Sequence, residues 1–340
     1  MNVDEKKTEY FKLVSQIFPE LGISTSSSFY NSDFPISAEI ELSNQSEAFK
    51  NKFKYSGSFI HYTSLDSLIS IINSQEIRLF NCQNLNDKLE LKYAVKELGI
   101  SITEAELELQ RQNFFIFSAC EYDLNLNNDD FNLWRLYSNS GFGAAVVFEI
   151  ENLSDNWDNI FYGKVSYGID DDRNKDLIKF IDLHQRFNEK YKLFENIPSI
   201  IPAIGLHFKN KIWNIENEIR LIAFCPFDKH SLEIKAFEAG NAYLSTTLKH
   251  TINKSGKQAA YVTLPLNIDK LKQEYLRKAD ESTVIDFLKT IPHLKIKRII
   301  MGHKIPPETF VAIEHILREK FCKVLGYSVE VGYSSFRDLD

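Results

Sequence analysis

Short apolar segments of strand length recur along most of the chain, and stretches with helical periodicity separate many of them. An apolar run of about five to eight residues that ends at turn residues is typical of a buried β-strand, whereas apolar residues three and four apart indicate an amphipathic helix. The pattern therefore predicts a mixed α/β or α+β protein without internal repeats. Strands are predicted for the segments "SFIHY", "EIRLF", "NFFIFSA", "AAVVFEI", residues 160–167, "EIRLIAFC", "AAYVTL", "IKRIIMG" and "YSVEVGY".

Helices are predicted between these strands. After "SFIHY", Thr63 is the predicted N-cap of a helix, with Asp66 three positions on as an acidic variant of the capping box. Leu65, Leu68 and Ile72 recur at helical spacing and form its predicted buried face. Further helices are predicted for residues 87–98, 129–140, 171–192, 197–210, 267–289 and 307–320.

The N-terminal segment differs from the remainder of the chain. Residues 5–18 have the apolar spacing of an amphipathic helix, and residues 37–54 have a weaker helical pattern. Between them, residues 24–35 are rich in serine and end in proline, which predicts a loop. We therefore predict two units: residues 1–57 as an N-terminal helical appendage, and residues 58–340 as a single α+β domain.

Charge and cysteine content limit the classes of partner and compartment. The formal net charge is -7, which argues against a general nucleic-acid surface because phosphate binding needs a basic one. No apolar run approaches the roughly 18 residues that cross a bilayer, so we expect a soluble, cytoplasmic protein without a membrane partner. The cysteines form no CxxC pair, which predicts reduced thiols. They are Cys82, Cys120, Cys225 and Cys322.

Several common cofactor motifs are missing from the sequence. It contains no GxxxxGK[ST] phosphate loop, and neither an HExxH nor a CxxC zinc pattern, so no metal is expected. The segment "GFGAAV" superficially resembles a dinucleotide fingerprint. It follows a predicted helix and enters a strand, which is the reverse of the order that a pyrophosphate site requires.

His61 is distinguished from the other histidines by its position. It ends a predicted buried strand, with Tyr62 pointing to the opposite face and Thr63 capping the next helix. A core histidine bonded to the backbone is the alternative to a ligand-binding one. His303 is predicted in a turn. The remaining histidines considered are predicted at the surface: His184, His230, His250, His293 and His315.

A second group of polar residues precedes or opens the strand "EIRLIAFC". Along a strand, Glu216, Glu218 and Arg220 share one face, because side chains alternate with a period of two. Two carboxylates about 7 Å apart on that face need a partner such as the guanidinium beside them. A surface face of ion pairs is one interpretation. The other is a carboxylate that stabilises a cationic transition state, with Arg220 fixing its orientation.

A third group lies in the predicted helix 129–140. Trp134 and Tyr137 are three residues apart, on one side of that helix, and Arg135 lies between them. Such a pair forms either part of a hydrophobic core or a wall on which a flat ring stacks. The sequence alone leaves both interpretations open.

Taken in order, these groups resemble the motifs of a bacterial family, domain of unknown function 2971 (DUF2971). The resemblance spans residues 58–335. It includes the closing segments "IKRIIMGHKIPPE" and "YSVEVGYSS", and Lys88 departs from the proline that is usual in the family. The motifs that carry it are His61-Tyr62-Thr63-Ser64, Asn86-Asp87, Trp134-x-x-Tyr137 and Trp213-x-x-Glu216-x-Glu218-x-Arg220.

The family is in turn similar, more remotely, to the ADP-ribosyltransferase superfamily. That resemblance implies an α+β fold with a mixed, mostly antiparallel sheet core flanked by helices. It implies an enzyme that uses NAD as a substrate and cleaves the nicotinamide glycosidic bond without a metal. A toxin or phage-defence effector is the implied role, with NAD or a related nucleotide and a protein or nucleic-acid acceptor as partners.

The same resemblance implies a role for each motif residue. His61 would hold the ribose and carboxamide of NAD, and Tyr62 or Tyr137 would stack on nicotinamide. Glu218 would be the catalytic carboxylate and Glu216 would help the acceptor. His61 and Glu218 are therefore expected to face one cleft, with side chains within roughly 10 Å. The cofactor site would be completed by Thr63, Asn86, Asp87, Trp134, Trp213 and Arg220.

Two other functions are consistent with the sequence. The same residues suit a catalytically inactive module that binds a nucleotide or a partner protein. A metal-dependent nuclease is suggested only by the E-x-K tripeptide Glu233-Ile234-Lys235, which occurs easily by chance. Asp228 is too near in sequence to lie on a separate strand, and the acidic net charge also disfavours that function.

Overall fold

A computed structural model describes residues 3–27, 38–84, 90–126, 128–192, 198–226, 242–252, 256 and 258–337. The predicted α+β class is confirmed: helices pack on a mixed, mostly antiparallel sheet. The strands are β1 Gly22–Ser27, β2 Ala38–Ser43, β3 Ser58–Thr63, β4 Glu76–Asn81, β5 Phe114–Tyr122, β6 Ala144–Ile150, β7 Ile160–Lys164, β8 Ser166–Tyr167, β9 Phe208–Lys209, β10 Glu218–Phe224, β11 Lys249–Ile252, β12 Gln258–Pro265, β13 Leu294–Met301 and β14 Glu330–Tyr333.

The described helices flank this sheet and join its strands. Short 3-10 turns span Asn139–Gly141 and Lys211–Glu216, and a π-helical turn spans Phe321–Leu325. The α-helices are α1 Val3–Val14, α2 Gln45–Lys52, α3 Leu65–Ser74, α4 Glu90–Glu97, α5 Glu104–Asn113, α6 Phe131–Tyr137, α7 Asp172–Tyr191, α8 Ile200–Gly205, α9 Ala242–Thr247, α10 Ile268–Tyr275, α11 Glu281–Leu288 and α12 Pro307–Lys320.

Strand β5 is the branch point of a ten-stranded sheet. The main path runs β11-β12-β4-β5-β3-β6-β13-β14, and β10 pairs with both β5 and β7. Cys120 pairs with Ile60 of β3 and also with Glu218 of β10, so these two strands lie on opposite edges of β5. Strand β4 pairs with β5 only at Ile116 and Phe115, on the same edge as β3. Only β13 and β14 pair in parallel in this sheet, within the described residues.

A hydrophobic core lies on each face of the sheet. Phe59, Phe117 and Phe148 belong to the core on one face, which we call the Phe117 face. The opposite face, here the Cys120 face, carries a larger cluster that includes Phe114 and a smaller one around Cys120. Side chains alternate along each strand, and this places neighbouring residues of β5 in different cores.

The N-terminal segment contains a hairpin as well as helices. Strands β1 and β2 pair antiparallel over residues that were predicted to be a loop and a helix. Residues 28–37, which connect them, lie outside the described residues. Tyr10 of α1 is buried, and its hydroxyl lies 2.9 Å from Nδ1 of His184 in α7. His184 was predicted at the surface and is buried, because α1 covers the face of α7 that carries it. The domain boundary at residue 57 stays a prediction.

Several predicted helices have different bounds in the structure. The helix predicted for 267–289 is two helices, α10 and α11, because Asp280 caps a new helix by accepting from the backbone N–H of Thr283. Ser64 and not Thr63 caps α3, accepting from Ser67 N–H. The helix predicted for 197–210 ends at Gly205, where the chain turns into β9. Among the described residues no helix is both long and apolar enough to cross a membrane.

Candidate functional site

His61 occupies a break in the pairing between β3 and β5. The two strands pair from Ser58 to Ile60, after which β3 continues alongside β6 alone. The His61 imidazole is half-buried in this break, and its Nδ1 lies 2.9 Å from the carbonyl oxygen of Ser118. That carbonyl makes Nδ1 the protonated nitrogen of the neutral ring and leaves Nε2 as an acceptor. Burial lowers the pKa of His61, and the Ser118 bond opposes that shift.

Arg220 and Glu218 reach Ser118 and Cys120 from the opposite edge of β5. In the register, Arg220 pairs with Ser118 and Glu218 pairs with Cys120. The imidazole of His61 and the Glu218–Arg220 pair therefore lie on the two strands that flank β5. Both approach the same short stretch of that strand.

His61 and Glu218 nevertheless leave the sheet on different faces. Ile60, Cys120 and Glu218 lie in one lateral row, so their side chains share the Cys120 face. His61 follows Ile60, and its ring lies 4.6 Å from the ring of Phe117 on the other face. The expectation that both side chains face one cleft is thus wrong, because the two side chains leave the sheet on opposite faces.

Glu218 and Arg220 form a buried ion pair. Arg220 Nε donates to Glu218 Oε1 at 2.7 Å, and its NH2 group donates to Oε2 at 3.1 Å. Arg220 NH1 also donates to the carbonyl oxygen of Leu206. Only 2% of the Arg220 surface and 4% of the Glu218 surface are exposed. The surface ion-pair interpretation of this segment is therefore wrong: the pair is buried, and Leu206 and Lys209, which follow α8, contact it.

Lys209 joins the two carboxylates. Its Nζ lies 2.8 Å from Glu216 Oε2 and 2.6 Å from Glu218 Oε2. The other oxygen of Glu216, Oε1, accepts a hydrogen bond of 2.6 Å from the hydroxyl of Tyr137. Burial opposes ionisation of Glu218, but Arg220 and Lys209 outweigh it and hold the pKa of this carboxyl well below its usual range.

Glu216 is not part of the strand, contrary to the sequence prediction. It ends the 3-10 turn Lys211–Glu216, and Asn217 follows in the left-handed region at φ 41°. This residue redirects the chain into β10, so only Glu218 and Arg220 alternate along the strand face. Glu216 instead approaches the site from a turn, and it is also buried.

Trp134 and Tyr62 belong to the core rather than to an open wall. Trp134 is fully buried, with its ring edge-on to Tyr62 at a centroid distance of 5.1 Å. Trp134 Nε1 donates to Asp129 at 2.7 Å, and the Tyr62 hydroxyl accepts from Asp130 N–H at 2.9 Å. Tyr137, by contrast, is 43% exposed. The two residues of this motif therefore have different environments, and only Tyr137 is accessible to a ligand.

The remaining motif residues are scattered around this cluster. Trp213 is 42% exposed on the 3-10 turn that leads to Glu216. Thr63 is buried, and its carbonyl oxygen accepts from the hydroxyl of Ser138 at 3.1 Å. The residues that lie outside the described part of the chain are Asn86, Asp87, Asp228, His230, Glu233 and Lys235.

Three residues of the site were not singled out from the sequence. Ser118 lies in a continuous apolar strand, and Lys209 belongs to a two-residue strand, so neither has a recognisable motif. His207 is fully buried below the site, where burial lowers its pKa to about 3 and Nδ1 lies 2.8 Å from the Ala203 carbonyl oxygen. The sequence offered one signal for His207: it lies between apolar residues, two positions before Lys209, which is consistent with a buried histidine.

No cluster of three or more histidine, cysteine or acidic side chains in the described ranges is arranged to hold a metal ion. No curated protein and no solved structure matches the chain. A family model described as a protein of unknown function, DUF2971, matches residues 133–221, from α6 into β10. The match contains Trp134, Tyr137, Trp213 and the Glu216–Arg220 segment, but not His61. The resemblance to the DUF2971 family that the sequence predicted is thus confirmed over residues 133–221.

Proposed function

We propose that the protein is an ADP-ribosyltransferase-like enzyme that binds NAD where β3, β5 and β10 meet. The observation that carries this proposal is the approach of two distant segments to one residue. His61 bonds the Ser118 carbonyl from one edge of β5, and Arg220 pairs with Ser118 on the other edge. In this proposal the ligand would enter through the break in pairing between β3 and β5.

The chemistry requires few groups. Cleavage of the bond between ribose and nicotinamide passes through an oxocarbenium-like state, which carboxylates stabilise in glycosidases. Nicotinamide already carries a positive charge within NAD, so it leaves without a general acid. A preorganised carboxylate near the ribose and a firm hold on the ring would suffice. Glu218, whose pKa Arg220 and Lys209 lower, and Glu216, which pairs with Lys209, would match the first requirement.

The neutral imidazole of His61 would meet the second requirement. With Nδ1 bonded to Ser118, Nε2 is available to accept from a ribose hydroxyl or a carboxamide N–H. The half-exposed rings of Tyr137 and Trp213 are the candidates for stacking on nicotinamide. The acceptor would be a protein or nucleic acid, and a toxin or phage-defence role belongs to the same proposal.

The test is incubation of the purified protein with NAD and a cell lysate, which supplies both kinds of acceptor. Released nicotinamide and transfer of labelled ADP-ribose are measured for the wild type, Glu216→Gln and Glu218→Gln. We expect each substitution to reduce the rate about 10²- to 10³-fold. Glu330→Gln, at an exposed ion pair, serves as the control and should keep the full rate. Equal rates in all four proteins would refute the enzymatic proposal.

A binding module without turnover is the second candidate. It is favoured by one observation: Glu218 already has a cationic partner at each carboxylate oxygen within the chain. In that case NAD or ADP-ribose would raise the unfolding temperature without any product being formed. Measuring thermal unfolding in the same samples separates the two candidates.

A further inference from the structure

We propose that Tyr137 is a gate on Glu216: its hydroxyl satisfies the carboxylate in the free protein and is displaced by a hydroxyl or N–H donor of the bound ligand. This inference rests on the proposed function for the choice of NAD as probe. It departs from the roles that the family resemblance implies, since it makes Glu216 rather than Glu218 the carboxylate that contacts the ligand.

The partners of the two carboxylates support this assignment. Glu218 has Arg220 on Oε1 and both Arg220 and Lys209 on Oε2. Glu216 Oε2 is bound to Lys209, while Oε1 is bound to the Tyr137 hydroxyl. Among the described groups that donate to the four carboxylate oxygens of Glu216 and Glu218, Tyr137 is the uncharged one.

Displacing a cation from this cluster is much less favourable than displacing the phenol. Removal of one partner of a buried ion pair leaves an uncompensated charge. Lys209 also serves both carboxylates, so its departure would expose two charges at once. Replacing the Tyr137 hydroxyl by another neutral donor leaves the charge balance of the cluster unchanged.

The positions of the two side chains allow such an exchange. Glu216 is 5% exposed, and Tyr137 is 43% exposed and covers one of its oxygens. Tyr137 is the last residue of α6, whereas the next residue, Ser138, is fully buried and donates to the Thr63 carbonyl. The phenol ring is therefore free to swing toward solvent about its own side-chain bonds while the backbone stays anchored.

The same features define the chemical class of the ligand group. Two carboxylates with one lysine and one arginine have no net charge, so this point offers no attraction for a phosphate. A neutral hydroxyl or amide donor fits Glu216 Oε1. An adjoining flat ring would contact Trp213, which is half-exposed on the turn that carries Glu216.

The test uses Tyr137→Phe in the full-length protein, with two independent measurements. The first needs no ligand: carbodiimide-driven amidation of carboxyl groups, mapped by mass spectrometry. We expect Glu216 labelling to increase several-fold in Tyr137→Phe, while Glu218 labelling stays unchanged. Tyr327→Phe removes a hydroxyl that accepts from Ile296 N–H elsewhere in the protein and is the matched control. No increase at Glu216 would overturn the gate.

The second measurement is NAD affinity by calorimetry. Loss of the competing donor should tighten binding about tenfold in Tyr137→Phe, and Glu216→Gln should weaken binding by a similar factor. Equal affinity of wild type and Tyr137→Phe overturns the gate but not the NAD proposal. Increased Glu216 labelling without NAD binding by any variant supports the gate and refutes the NAD proposal.

Discussion

His61 and Arg220 approach Ser118 from opposite edges of strand β5. The imidazole of His61 is hydrogen-bonded to the Ser118 carbonyl oxygen, and Arg220 is the register partner of Ser118 in β10. Through Ser118, β3, which is the first strand of the ten-stranded sheet along the chain, is linked to β10, which carries the buried ion pair. The integrity of the site therefore depends on the packing of β5 between its two neighbours as well as on the ion pair itself.

Arg220→Met should destabilise the protein strongly. The substitution leaves Glu218 buried, with Lys209 as its cationic partner in the described part of the chain. Removing one partner of a buried ion pair typically costs about 3–5 kcal/mol, and Lys209 should keep the loss near the lower end. The measurement is the free energy of unfolding in urea, with Arg318→Met as the control. Arg318 pairs with Glu314 on the exposed face of α12, so its loss should cost less than about 1 kcal/mol. Equal losses would contradict the buried-pair assignment.

Most strands of the ten-stranded sheet were predictable because each is a self-contained apolar run, whereas β1, β2 and β11 are polar and were not predicted. The predicted segments around β5 and β10 correspond to strands of the structure, and the motif that begins with His61 starts within β3, which continues to Thr63. The turn before β10 was not predictable from alternation, because Asn217 adopts a left-handed conformation that an alternating pattern does not reveal. The assembly of Ser118 and Lys209 with Glu218 depends on strand pairing between distant segments, which local periodicity does not encode.

Buried histidines should make the protein less stable as the pH falls below neutral. Burial lowers the pKa of His184 to about 4, so the folded state stays neutral there while the unfolded chain binds a proton near its usual 6.5. The unfolded state thus binds more protons between these values, and stability is full above about pH 6.5 and falls as the pH approaches 4. Burial shifts the pKa values of His61 and His207 in the same direction.

His184→Gln isolates one part of this effect. One histidine contributes at most about 1.4 kcal/mol per pH unit to the slope of unfolding free energy against pH. The variant should therefore have a shallower slope than wild type between about pH 6.5 and 5, in urea titrations. His315→Gln, at an exposed position of α12, controls for the exchange of histidine by glutamine itself. If the slope for His184→Gln equals that of wild type, the pKa of His184 is the same in the folded and unfolded states and the prediction is wrong.

Gly141→Ala should be more damaging than a typical glycine substitution in a turn. Gly141 has φ +93°, and an added Cβ would lie 2.5 Å from Cε1 of His303, which is itself buried. Gly99 has φ +68° with nothing within 4 Å of a Cβ, so Gly99→Ala measures the backbone term alone. We expect about 1 kcal/mol for Gly99→Ala and a further 1–3 kcal/mol or so for Gly141→Ala. Equal unfolding free energies would mean that the His303 ring moves away without cost.

Asp129→Ala should release the segment that follows β14. The buried Asp129 carboxylate accepts from Trp134 Nε1 at 2.7 Å, from the Ser334 hydroxyl at 2.6 Å and from the Ser335 hydroxyl. Each buried donor left unpaired costs about 1–3 kcal/mol, so the unfolding free energy should fall by several kcal/mol. Hydrogen exchange of the amides of residues 330–335 should accelerate, because their anchor to α6 is lost. Asp280→Ala removes an exposed N-cap and should cost much less, with that exchange unchanged. If exchange is as slow in Asp129→Ala as in wild type, β14 is held by its pairing with β13 and the carboxylate is dispensable for it.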